Sequence, residues 1–189
     1  MLPEDKKIKT KAQLKEYLDV ECARFELRGR RYISYLFQIS EGAILRRHTV
    51  LLRKTEYYIN SGKKLRALIY RGMLMRFQNR TGIHMPLNIA GKGLQILHVF
   101  PICVNRKVSI GENCRIMPFV SLVGDDKLDV CPVIGNNVTL GIHSTVFGDV
   151  YIADGISVGA GAVVTKSFYE PGIHIAGVPA KKIGGGKDE

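Results

Sequence analysis

The stretch IGNNVTLGIHSTVFGDVYIADGISVGAGAVV, residues 134–164, decides the fold of this 189-residue chain. It carries Ile, Leu or Val at every sixth position, and the same count extends back towards the N-terminus. Ten consecutive sixth positions are aliphatic: Val104, Ile110, Ile116, Leu122, Leu128, Ile134, Leu140, Val146, Ile152 and Val158. A fixed period of this length indicates stacked copies of one small structural unit.

Six residues provide one short strand and one turn, so three such units return the chain to its starting face after about 18 residues. Parallel strands of successive coils then pair, and the aliphatic side chains fill the interior of a triangular prism. Gly, Asn and Asp tolerate the left-handed backbone that tight corners need, and such residues recur here at Asn113, Asn136, Asn137, Asp154 and Gly155. We predict a mainly β protein, with a left-handed parallel β-helix over residues 86–168.

The region before Pro86 has a helical period instead. Apolar residues recur at helical spacing over residues 13–27, 41–60 and 63–79. The last of these carries Leu65, Leu68, Ile69, Met73, Met75 and Phe77. We predict a basic α-helical N-terminal region over residues 1–85, and we expect its Met and aromatic side chains to pack in the interior.

All of the excess positive charge lies in that helical region. Residues 1–80 hold 19 Lys and Arg against 8 Asp and Glu, whereas residues 81–189 hold 9 of each. A basic face attracts anionic partners, so contact with a membrane surface or an anionic glycan is one hypothesis and an ordinary solvated surface is the other. We expect no nucleic-acid partner. No apolar run is long enough for a bilayer, which predicts a cytoplasmic protein, with a peripheral position at the inner membrane face under the first hypothesis.

Two further features concern loops and metals. The stretch Gly124 to Val133 keeps the six-residue count but contains Asp125, Asp126 and Asp129, so we predict a loop that leaves the coil. The four cysteines lack the spacing of a zinc or redox motif. We therefore predict no metal site.

The sequence resembles the hexapeptide-repeat acetyltransferases over roughly residues 45–184. It is similar to their serine acetyltransferase-like branch, which includes capsular polysaccharide O-acetyltransferases. The segments that carry the resemblance are GKGLQILH (91–98), PVIGNNV (132–138), VGAGAVVTK (158–166) and AGVPAKKI (176–183). The resemblance implies a homotrimer that uses acetyl-CoA as co-substrate, bound in a groove between neighbouring prisms.

By the same resemblance, particular residues line the acetyl-CoA groove. Gly141 and Ile142 would offer backbone groups to the pantetheine arm, with Ala160 at the matching level of the next coil. Thr165, Lys166 and Lys181 would meet the nucleotide end, where phosphates need cations. The C-terminal tail, residues 169–189, would close the site.

His98 is the predicted general base. It falls on a sixth position that aliphatic residues otherwise hold, so its ring is either placed there for a purpose or points outward from an irregular first coil. Acetyl transfer to an alcohol needs a base, and histidine is suited to that task near neutral pH. His84 and His143 are other ring candidates that we expect to be non-catalytic.

Two departures from serine acetyltransferases concern the acceptor. Their Asp-Ile-His-Pro-like stretch holds an acid that orients the base, and Gly82 stands in its place here. Their later loop carries a second histidine, whereas Gly124 to Val133 has none. We therefore predict O-acetylation of a sugar hydroxyl in polysaccharide biosynthesis, with serine O-acetylation in cysteine biosynthesis as the alternative. A three-histidine metalloenzyme of the γ-carbonic-anhydrase type and a non-catalytic trimeric scaffold are further hypotheses.

Overall fold

Three α-helices precede the β-helix in the computed structural model, which describes residues 3–25, 40–125 and 127–185. They are α1 (Lys11–Cys22), α2 (Glu41–Asn60) and α3 (Lys64–Thr81), after a single 3₁₀ turn at Glu4–Lys6. The end predicted for the first helix, at residues 26–27, lies outside the described residues.

The helix ends follow local chemistry. The Thr10 side chain accepts a hydrogen bond from the backbone of Gln13 in a capping box at the start of α1, and Ser40 accepts one from Ala43 N–H at the start of α2. Helix α3 ends at Gly82, whose φ of 72° lies in the left-handed region that glycine adopts at low cost. That turn directs the chain into the first strand.

The strands of the described residues are short, and most contain two or three residues. They are β1 (Ile83–His84), β2 (Gln95–Ile96), β3 (Ile102–Val104), β4 (Ser109–Ile110), β5 (Arg115–Ile116), β6 (Ser121–Val123), β7 (Val133–Ile134), β8 (Thr139–Leu140), β9 (Thr145–Phe147), β10 (Tyr151–Ile152), β11 (Ser157–Val158), β12 (Val163–Val164), β13 (Ile173–Ala176) and β14 (Lys181–Gly185). Strand β1 thus begins before residue 86, where the sequence predicted the β-helix to start.

The strands form three faces of a prism. Face A has the order β1-β3-β6-β9-β12, face B has β10-β7-β4, and face C has β14-β13-β11-β8-β5-β2. Neighbouring strands are parallel, except that β14 pairs with β13 in the antiparallel direction. The chain visits faces C, A and B in turn, so the predicted left-handed parallel β-helix is confirmed as the fold class.

The register gives the length of each coil. Asn136 stacks on Asp154, 18 residues further along the chain, as the six-residue period predicts. Glu112 stacks on Asn136, which is 24 residues away, so this coil contains one additional unit. The addition is the predicted loop: Asp125 and Val130 form a bridge across it, and Leu128 is 70% exposed there. Leu128 is therefore the one aliphatic residue of the ten that does not enter the core.

Some, but not all, of the Gly, Asn and Asp residues at the corners adopt the predicted left-handed backbone. Asn113, Asn137 and Gly155 have positive φ, whereas Asn136 and Asp154 do not. Asn136 and Asp154 are joined by a hydrogen bond instead. The Asp154 side chain accepts it through Oδ1 from the backbone N–H of Asn136, at 2.7 Å. Corner residues thus stabilise the stack by side-chain hydrogen bonds as well as by backbone freedom.

The outward face of α3 contradicts the packing prediction. Of its residues, only Leu74, Phe77 and Gln78 are buried. Met73 and Met75 are 42% and 53% exposed, so the expectation that they pack in the interior is wrong. Leu65, Leu68 and Ile69 are exposed as well. An apolar helical period has the same spacing whether its face is covered or not, which is why the sequence did not distinguish the two cases.

Arg53 of α2 joins the helices to the first coil and is fully buried. Its guanidinium contacts Glu21 of α1 at 2.7 Å and Glu56 at 2.9 Å, and it donates to the carbonyl oxygens of Ala90 and Gly91. We call Arg53, Glu21 and Glu56 the arginine clamp. Burial works to lower the pKa of Arg53, but the two carboxylates outweigh it and hold this pKa above its ordinary value.

We predict that Glu21→Gln lowers the free energy of unfolding by about 3–5 kcal/mol, because the buried guanidinium loses a charge partner. Urea denaturation measures the loss. Glu170→Gln is the matched control, since Glu170 pairs with Lys182 at the surface and should contribute at most about 1 kcal/mol. Equal small losses in both variants would contradict a structural role for the clamp.

Candidate functional site

His98 lies at a widened corner of the first coil. Gln95 pairs with Arg115 and Cys103 with Ser121, so the corner between β2 and β3 holds two more residues than the corner above it. Ile96 fills the core where the strict count would have placed His98. The His98 backbone has a φ of 65°, and its side chain is 57% exposed. Of the two interpretations of the sequence, the outward ring on an irregular coil is confirmed.

Glu41, the first residue of α2, faces the His98 ring. Its Oε2 lies 3.3 Å from His98 Nδ1, and its Oε1 accepts a hydrogen bond from Val99 N–H at 2.8 Å. Sequence reasoning missed Glu41, because it lies 57 positions before His98 and nothing in the local pattern links the two. The available signal was only an acidic residue after the cap Ser40, which is typical of any helix start.

Gly82 lies beneath the same corner, and the structure explains why no acid stands there. A Cβ atom built on Gly82 would lie 2.9 Å from Pro101 Cγ and 3.2 Å from Pro101 Cα. The positive φ of Gly82 adds strain to any other residue. Pro101 belongs to the widened corner, so the same irregularity that turns His98 outward also occupies the space of a side chain at position 82.

The corners that join face C to face A form one edge of the prism, which we call the CA edge. It consists of residues 97–101, 117–120, 141–144 and 159–162. His98 is in the first corner, Gly141 and Ile142 are in the third, and Ala160 is in the fourth. Since neighbouring strands lie about 4.8 Å apart, His98 and Ala160 are separated by about 14 Å along this edge. The structure therefore brings the predicted base and part of the predicted cofactor groove onto one line.

Gly141 is tied into the stack of coils. Its N–H donates to Val158 O at 2.8 Å, and a Cβ atom on it would lie 2.5 Å from that same oxygen. Close stacking thus requires glycine at this position, and its N–H already has a partner. Ile142 is 38% exposed and Ala160 is exposed beside it. Their role towards the pantetheine arm stays a prediction.

The residues predicted for the nucleotide end lie beyond β12. Thr165 and Lys166 are exposed, and the Lys166 Nζ lies 5.5 Å from the centre of the Phe168 ring. The tail packs on β12 through a hydrogen bond from Ala180 N–H to Val163 O at 2.8 Å. This contact places exposed Lys181, the next residue, near the end of face A. Contact of these cations with a nucleotide stays a prediction.

Three neighbouring rings run along the CA edge and were not found from the sequence. Phe100 and Phe119 have centroids 5.3 Å apart, and Phe119 stacks on His143 at 4.5 Å with an interplanar angle of 9°. Phe119 and His143 both adopt positive φ, which is unfavourable for bulky residues. We call Phe100, Phe119 and His143 the aromatic ladder. Phe100 lies in the same corner as His98, and Phe119 and His143 lie in the next two corners of the CA edge.

The remaining histidines do not converge on the site. His48 is fully buried in α2, where desolvation and the charge of Arg53 lower its pKa to about 4. His84 is exposed on β1, and His174 is exposed on β13. Within residues 3–25, 40–125 and 127–185, no group of three His, Cys, Asp or Glu side chains is arranged to hold a metal ion.

Comparisons with known proteins point to one group of enzymes. No family model matches the chain. The serine acetyltransferase of Buchnera aphidicola subsp. Schizaphis graminum is 33% identical over 104 residues, which is 53% of this chain and 39% of that protein. A solved structure of Neisseria gonorrhoeae serine acetyltransferase aligns with a TM-score of 0.68 at 21% identity, covering 95% of this chain and 70% of that one.

The chain has the serine acetyltransferase fold. The resemblance expected from the repeat segments is therefore confirmed. Another solved serine acetyltransferase, in complex with CoA, aligns with a TM-score of 0.63 at 18% identity over 92% of this chain and 71% of that one. The chain spans less than half the length of the curated relatives it matches.

Proposed function

We propose that this chain is an acetyl-CoA-dependent O-acetyltransferase with His98 as its general base. The observation that carries the proposal is the position of the His98 ring, which is exposed at one end of the CA edge. Similarity to serine acetyltransferases, one of them solved with CoA, supports acetyl-CoA as the acyl donor. The exposed Ile142 and Ala160 on the same edge fit the pantetheine arm, and Thr165, Lys166 and Lys181 fit the nucleotide end.

The reaction is a direct transfer. His98 Nε2 takes the proton of the acceptor hydroxyl while the oxygen attacks the thioester carbonyl carbon. The tetrahedral intermediate collapses, the C–S bond breaks, and the CoA sulfur receives the proton from the imidazolium. One acetyl group and one proton therefore exchange places between the two substrates, and no covalent enzyme intermediate forms.

Serine is the acceptor that the comparisons favour. The curated relatives are serine acetyltransferases, and this similarity supports the serine alternative better than the sugar hydroxyl that the departures at Gly82 and the loop led us to expect. A sugar hydroxyl is the second candidate, and the aromatic ladder favours it. Exposed rings next to the base suit the apolar face of a sugar.

We predict that serine-dependent release of CoA thiol falls by about 10²- to 10⁴-fold in His98→Ala, because the hydroxyl loses its base. A thiol-reactive dye measures the release, with a panel of sugars tested in parallel. His84→Ala is the matched control and should retain full activity, since His84 lies on strand β1 of face A and not in a corner of the CA edge. Turnover that survives in His98→Ala would contradict the proposal, and turnover with sugars alone would identify the second acceptor.

A homotrimer is part of the proposal. A second prism packed beside the CA edge would form a groove along the same edge as His98. Light scattering of the purified protein, with a mass three times that of the 21.1 kDa chain as the expected result, tests this assembly.

We also propose that the outward face of α3 contacts an anionic membrane surface. Leu65 and Leu68 are about 70% exposed there, and the helix contains Lys64, Arg66, Arg71, Arg76 and Arg80 but no acidic residue. If the same face met its own copy, the cations would oppose one another without a partner on α3. No helix in the described part of the chain is long and apolar enough to cross a bilayer.

We predict that the protein floats with vesicles of mixed neutral and anionic phospholipid at low salt, and that salt releases it, because the attraction is screened. The double variant Leu65→Ser, Leu68→Ser should stay in the heavy fraction. Val20→Ser is the control, since Val20 is an exposed apolar residue on α1. Absence of wild-type flotation at low salt would contradict membrane contact.

A further inference from the structure

We propose that Glu41 is the positioning residue of His98, in place of an acid that this chain cannot hold at position 82. The proposal rests on the function proposed above. Its geometric basis is the contact of Glu41 Oε2 with His98 Nδ1 at 3.3 Å, across 57 positions of sequence. A carboxylate can only accept a hydrogen bond, so the proton of the neutral ring lies on Nδ1 and the lone pair lies on Nε2. That tautomer is the one a general base needs at Nε2.

The carboxylate itself is held in place. Glu41 Oε1 accepts from Val99 N–H at 2.8 Å, so the group cannot rotate away without breaking a second hydrogen bond. Val99 follows His98 directly, and the two contacts therefore bind one carboxylate to both the ring and the backbone of the widened corner. Glu41 also lies in the first turn of α2, where the partial positive charge of the helix N-terminus attracts a carboxylate.

The usual location of the acid is blocked for a steric reason. Any side chain at position 82 would meet Pro101, with a Cβ contact of 2.9 Å to the ring. Pro101 is present at that place because the first corner is two residues longer than the second. His98 of the same corner contacts Glu41 at the start of α2. The same widened corner therefore excludes a side chain at position 82 and holds the ring that Glu41 contacts.

The isosteric variant Glu41→Gln tests the proposal sharply. Glutamine has one acceptor oxygen, and Val99 N–H requires it, so the amide NH₂ group faces Nδ1. An NH₂ group only donates, which forces the proton of the neutral ring onto Nε2. The variant therefore reverses the tautomer with almost no change in shape, and a ring in that state cannot take a proton at Nε2.

The experiment combines two readouts on wild type, Glu41→Gln and the control Glu16→Gln. Glu16 is an exposed carboxylate on α1 that pairs with Lys92. Glu16→Gln therefore makes the same change from carboxylate to amide, away from the His98 ring. The ¹⁵N shifts of the His98 ring, assigned with His98→Ala, report the tautomer of the neutral form. We expect the proton on Nδ1 in wild type and in the control, and on Nε2 in Glu41→Gln. We expect kcat to fall about 10²-fold in Glu41→Gln alone, with KM for acetyl-CoA within about twofold.

The outcomes separate the two proposals. A wild-type ring protonated on Nε2, or a Glu41→Gln variant with wild-type kcat, would overturn the role of Glu41. Lack of turnover in the wild type with every acceptor would instead overturn the proposed function, because the ring shifts report the contact with Glu41 without any substrate. Far-UV circular dichroism of each variant establishes that it is folded under the assay conditions.

Discussion

The arginine clamp fixes the geometry on which the rest of the molecule depends. A buried guanidinium is costly unless every donor has a partner, and here Glu21, Glu56 and two backbone carbonyl oxygens of the first coil supply them. Glu21 also accepts from Gly93 and Leu94 N–H, and Glu56 accepts from Asn88 N–H. The three charged groups thus bond two helices to the first coil at several points.

The clamp determines the position of Glu41 at a distance. Arg53 and Glu41 lie on the same helix, and their separation of 12 residues corresponds to about 18 Å of rigid rod. Once Arg53 is bonded to the coil at Ala90 and Gly91, the N-terminus of α2 has little freedom next to the His98 corner. The helical region is therefore part of the candidate site, and its basic charge is only one of its properties.

Much of this architecture could be predicted from the sequence, because the six-residue period is a direct consequence of stacking. Val158 and Ile152 lie in the core where the count placed them. The six-residue count failed at two places. At Leu128 a whole additional unit leaves the prism, and at His98 the first corner is two residues longer than the next one. His98 was recognisable as an exception to the pattern. Glu41 was not, because its relation to His98 is set by tertiary packing. The apolar helical period also did not predict that Met73 is exposed.

The proposed function requires that acyl transfer takes place along the CA edge, with its reactive end at His98. The widened first corner supports this placement, since it turns His98 outward at that edge. A crystal structure of this chain with CoA is the most direct measurement. We expect the CoA sulfur to lie next to His98 and the pantetheine arm to pass Ile142 and Ala160. CoA bound along another edge, with its sulfur away from His98, would contradict it.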